Sequence, residues 1–125
     1  MKPEEQRIAI AEVCGYVWDD GPQRKSAGWW TDPHGFQVSW GGSQSDALNK
    51  IEGTDYLNDL NACHEMEKTL THDRIDGAEF GRYLDNLVEI AYRKPAHPSG
   101  YSTAVNATAT QRCESFLKTL NLWIE

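Results

Sequence analysis

Arg93 and Arg112 each offer a planar guanidinium that can fork onto phosphate oxygens, and Phe80 and Tyr83 offer ring faces on which a nucleobase can stack. Asn58, Asn61 and His64 crowd two turns of one expected helix with groups able to hydrogen-bond a ribose or a base edge. Such a set suits holding a small anionic nucleotide-type ligand rather than cleaving one. Each residue also has an ordinary role. Phe80 and Tyr83 fit a core, His64 fits a helix histidine bonded to a neighbour, and asparagines near a helix start fit caps. Both roles stay open at this stage.

A different class of function rests on Trp29 and Trp30, adjacent in an expected hairpin. Exposed as a pair, they would anchor a protein–protein interface, because aromatic anchors dominate interface energetics.

Catalytic signatures are missing. There is no phosphate-cradling GxxxxGK[ST] loop, no GxGxxG fingerprint and no HExxH, since His64-Glu65 lacks a second histidine one turn on. His34, His64, His72 and His97 fall on four different elements, and no serine elbow or thiol with a sequence-local base is present. The expectation is a non-enzyme with no metal and no cofactor. Cys14, Cys63 and Cys113 are odd in number and widely spaced, which suits neither a disulfide framework nor a zinc site; they read as reduced, packed thiols.

The formal charge of −7 is unevenly spread: −2 over residues 1–50, −7 over 51–92 and +2 over 93–125. The acidic centre would repel a long nucleic acid, whereas Arg93, Lys94, Arg112 and Lys118 could build a local site for a small anion. No apolar run approaches the ~20 residues of a membrane span, and MKPEEQRIAIAE is too acidic for a signal peptide, so a cytoplasmic location is expected. A length of 125 residues sets the expectation of a single domain over 1–125.

The elements that must position these residues can be read from caps and periods. Pro3, Glu4, Glu5 and Gly15 frame a helix over 3–14. Tyr16 to Trp18 reads as a short strand. Gly28–Thr31 and Phe36–Trp40 flank Asp32-Pro33-His34-Gly35 as a hairpin, with Phe36, Val38 and Trp40 expected on the covered face and Gln37 and Ser39 on the other. Residues 41–53 read as a loop with a short turn around Ala47–Ile51. A central helix follows over 54–71, capped by Asp55 and with Leu57, Leu60, Cys63 or His64, and Glu67 on its inner stripe. Asp76 and Glu79 open a helix running to Arg93, residues 94–107 form a loop, and Thr108 with Gln111 starts the last helix, which ends at Asn121. This order predicts an α+β domain: about three antiparallel strands packed with about four helices.

Three blocks, EEQRIAIAEVCG, DYLNDLNACHEMEKTL and ATATQRCESFLKTL followed by Trp123, resemble the phage ABA-sandwich domain family; they cover about a third of the chain, at both ends and the middle. That resemblance implies a phage-encoded protein working in the bacterial host cell. The chain is also similar to phage anti-Thoeris sponge proteins, which hold a cyclic ADP-ribose isomer or cyclic oligonucleotides between subunits without cleaving them. The implied function is anti-defence sequestration by a homo-oligomer. No ligand residues transfer from that group to numbered positions here.

Overall fold

The computed structural model describes residues 1–20, 28–72, 78–91 and 107–125. The architecture is α+β as expected, with a three-stranded antiparallel sheet in the order β1-β2-β3 and, among the described residues, five helices. Helix α1 spans Pro3–Val13, the strands are β1 Val17–Asp19, β2 Gly28–Thr31 and β3 Gln37–Gly41, and α2 is Gln44–Leu48. Then come α3 Leu60–His72, α4 Ala78–Ala91 and α5 Ala109–Thr119. The expected Asp76 cap, the loop over 94–107 up to Asn106, and Arg93 lie outside the described residues.

Locally encoded ends formed where the caps predict them. Helix α1 stops because Gly15 takes φ +102°, letting its amide bond to Glu12 O at 3.1 Å and that of Tyr16 to Ala11 O at 3.0 Å. Asn121, at φ 60°, does the same for α5, with Leu122 N–H on Leu117 O at 2.8 Å. Thr108 and Gln111 exchange side-chain to backbone bonds at 3.1 and 2.9 Å, the reciprocal box that starts α5. In the hairpin, Asp32 Oδ1 accepts from the amides of His34 and Phe36, both at 2.9 Å, and Gly35 supplies φ +92°.

Two expectations failed, each for a long-range reason. The central helix starts at Leu60, not Asp55, and Asp59 rather than Asp55 accepts from its first amides, bonding Asn61 N–H at 2.9 Å. Inside a helix, Tyr56 O would accept from Leu60 N–H; here it is taken by the thiols of Cys63 at 2.9 Å and Cys113 at 3.2 Å, and the ring of Tyr56 is buried. The inner stripe is accordingly Ala62, Cys63, Met66 and Leu70, while Leu60 is 48% exposed.

The sheet faces are the reverse of those expected. Strand β3 buries Ser39 and turns Val38 and Trp40 to solvent, as it does the neighbouring Phe36. Trp18 pairs with Trp30 and Trp30 with Ser39, so these form the covered side; a register shift between Trp30 and Thr31 leaves Val38 as the extra residue. What selects this parity is α2, which crosses the covered side. Ser39 Oγ donates to Ala47 O at 2.6 Å, Trp30 Nε1 donates to Gln44 O at 2.9 Å, and a Cβ on Gly41 would lie 2.9 Å from Ala47 N. A bulky side chain at Ser39 would collide with that short helix. The turn expected around Ala47–Ile51 is thus a helix set a few residues earlier, and it provides the cover that the sheet needs.

The core joins the layers through Ile10, Trp30, Leu48, Met66, Leu87 and Phe116, all at most 1% exposed. Helices α4 and α5 pack closely because small polar residues line their seam. Ser115 Oγ donates to Tyr83 O at 2.7 Å, and Asn86 Nδ2 to Thr119 Oγ1 at 3.1 Å. No helix among the described residues is long and apolar enough to cross a membrane.

Candidate functional site

Of the seven residues singled out for ligand binding, the structure brings Arg112, Tyr83, Phe80 and His64 to one junction of α3, α4 and α5, while Asn58 stands exposed in the turn before α3. What gathers them is Glu67, whose role the sequence did not reveal. Its Oε2 accepts from Arg112 Nη1 at 3.1 Å and from the Tyr83 hydroxyl at 2.6 Å, and its Oε1 lies 3.3 Å from His64 Nδ1. Arg112 Nε also donates to Ala107 O at 3.1 Å. Burial and the hydrogen bond to Glu67 hold the Tyr83 hydroxyl well above the usual phenol range.

This arrangement changes what the residues can do. A carboxylate already occupies the position at Arg112 that a phosphate would take, and Tyr83 is fully buried, so its ring has no open face. Phe80 is half-buried with its centroid 5.8 Å from that of Tyr83. Asn61 stands exposed in the first turn of α3, one turn from His64. The junction is a neutralised polar knot that ties three helices together.

The paired Trp29-Trp30 anchor is corrected in part. Neighbours on a strand face opposite ways, and Trp30 is fully buried while Trp29 looks outward. Trp29 instead meets Trp40, its cross-strand partner, with ring centroids 4.9 Å apart at 44°. Beside them on this side Val17 is 60% exposed, and Val38 42% and Trp40 52%, leaving the outward face of the sheet apolar. Asp19 lies opposite Trp29 on the same side. Alternation read across the hairpin register could have revealed this patch, because Trp29 opposite Trp40 fixes both on one face.

A second feature has no signature in the sequence. An open cleft of about 400 Å³ is formed where the end of α1, the hairpin turn, the segment before α3 and one side of α3 meet, with Tyr16, Pro33, Glu52 and Glu65 among its walls. Cys14 and Tyr56 also reach it. Burial pushes the Cys14 thiol up to about 11, with the nearby Tyr56 hydroxyl opposing it, and burial followed by the Asp32 charge raises the Tyr16 hydroxyl. The three cysteines are free, as expected, yet all three surround Tyr56. No group of three or more metal-ligating side chains occurs among the described residues.

The chain matches no protein-family model, no curated protein and no solved structure.

Proposed function

We propose that this protein acts by binding rather than by turnover, and that the outward side of its sheet is the surface that binds. The observation that carries this reading is the Trp29–Trp40 pair, 4.9 Å between centroids, on a face where Val17, Val38 and Trp40 are all more than 40% exposed. Exposed rings of this size cost solubility unless they serve recognition. The partner that suits them is a basic, arginine-bearing segment of another protein. A guanidinium stacks over an indole, Asp19 lies on the same side, and the chain carries a net −7 that would oppose docking a second acidic copy.

The test is tryptophan fluorescence of the intact protein titrated with a short peptide alternating arginine and leucine, against the same peptide with glutamate for arginine. Binding by the arginine peptide alone, weakened about tenfold or more in Trp40→Ala, is the expected result. Equal binding of both peptides overturns the basic partner. A concentration-dependent dimer that Trp40→Ala abolishes overturns it in favour of a second copy.

A second reading is sequestration of a cyclic nucleotide-type immune signal, a cyclic ADP-ribose isomer or a cyclic oligonucleotide, held intact by a homo-oligomer. It is supported by the gathering of Phe80, His64 and Arg112 at one junction, with Tyr83 sealed beneath them, and requires Arg112 to exchange Glu67 for a phosphate. A ligand at about 100 times its Kd adds ~2.7 kcal/mol to stability. A clear thermal shift with recovery of unaltered ligand after heating supports it, and no shift with any of these compounds removes it.

A further inference from the structure

The cleft between α1, the hairpin turn and α3 points to a ligand of opposite charge to the one expected from the sequence. We propose that it binds an organic cation, an alkylammonium or a guanidinium group, between the carboxylates of Glu52 and Glu65 and against the ring of Tyr16. None of the described side chains lining it is basic, and its two charged walls are both acidic. Asp32, whose charge acts on the Tyr16 hydroxyl, adds a third negative charge nearby. An anion would face this field with no cationic side chain in the lining to offset it, whereas a cation is drawn in and exchanges water for carboxylates and an aromatic face.

Size supports an organic cation over a bare metal ion. About 400 Å³ accommodates a group of several carbons, and the walls supplied by Pro33, Tyr16 and Tyr56 are largely apolar. Glu65 is bonded to Lys68 at 2.8 Å on the surface of α3, so the ligand competes there with an exposed lysine. Glu52 has no ion-pair partner among the described residues, which makes it the stronger of the two contacts. Gly53, at φ +83°, turns the chain so that Glu52 and Tyr56 reach the same cleft.

Such a cation could be a free amine or the side chain of a protein partner. Titration calorimetry of the intact protein with n-butylammonium, with a capped Gly-Lys-Gly peptide, and with butyrate and n-butanol separates the cases. Both ammonium compounds are expected to bind in the millimolar range while butyrate and butanol do not. Preference for the peptide assigns the site to a protein side chain, and preference for butylammonium assigns it to a free amine. Glu52→Gln and Glu65→Gln, both at exposed positions, each weaken binding about fivefold. Binding of butyrate as tightly as butylammonium, or an unchanged affinity in the double glutamine variant, overturns the proposal. Loss of cation binding in Trp40→Ala moves the site to the sheet.

Discussion

Arg112 of α5 and Glu67 of α3 meet at 3.1 Å, with side chains only 12% and 13% exposed, although 45 residues separate them in the chain. The pair is the reason that Arg112 stays inside the helix layer rather than reaching into solvent. Removing one partner leaves the other charge desolvated and strips the Tyr83 hydroxyl or the Ala107 carbonyl of its bond.

Arg112→Ala should therefore cost about 3 kcal/mol in urea unfolding, at the low end for a buried pair because each group retains some solvent contact. Arg112→Met combined with Glu67→Met should recover most of it, since apolar groups of similar volume need no counter-charge. A double variant as unstable as the single arginine variant would show that the pair is not what holds the junction.

Trp30 and Trp40 should separate folding from binding. Trp30 is fully buried, packs on Trp18 at 5.5 Å and donates to Gln44 O, so Trp30→Ala should cost about 3–5 kcal/mol. Trp40 is half exposed, and Trp40→Ala should change stability by under about 1 kcal/mol while weakening partner binding. Equal losses of melting temperature in the two variants would contradict the assignment of faces.

How much of this was legible follows the range of the forces. Pro3, Gly15, the Asp32 to Gly35 turn, the Thr108 and Gln111 box and Asn121 are decided within a few residues, and each formed as read. The start of α3 was not legible, because Asp55 and Asp59 are equally good caps and the choice fell to the thiol of Cys113, far along the chain, which binds Tyr56 O. The covered face of β3 was misread for the same reason. A stripe of Phe36, Val38 and Trp40 is more apolar than Ser39, but only Ser39 fits beneath α2. At the junction, the sequence suggested Arg112, Tyr83 and His64 but could not show that Glu67 would occupy them. The cleft draws on four separate segments and left no local pattern to find.

Alkaline pH should weaken the fold in a defined window. Burial lifts the folded Cys14 thiol to about 11 from an ordinary 9, so the folded chain keeps a proton that the unfolded chain releases. The resulting stability is complete below pH 9 and is lost as pH rises through about 11, with buried Tyr56 acting in the same direction above pH 10. Melting temperature should fall over pH 9–11, less steeply in Cys14→Ala. Alkylation by iodoacetamide at pH 8 should be about a hundredfold slower at Cys14 in the folded chain than in urea. Equal rates in the two states would refute the shifted thiol.

Gly28 should be among the least replaceable residues of the sheet. A Cβ built there would lie 2.2 Å from Cζ2 of Trp18 and 2.5 Å from the carbonyl oxygen of Asp19, so both a core ring and the backbone of β1 would have to move. Overpacking of this kind costs about 1–3 kcal/mol, and Gly28→Ala should lower the melting temperature accordingly. Gly35 is the contrast, with φ +92° and nothing within 4 Å of its missing Cβ. There the cost is conformational alone, so Gly35→Asn should retain more stability than Gly35→Ala, because asparagine tolerates the left-handed region. Trp18→Leu placed in the Gly28→Ala background should recover only part of the loss, since the Asp19 carbonyl remains in the way; full recovery would mean that the ring alone sets the approach of β1 to β2.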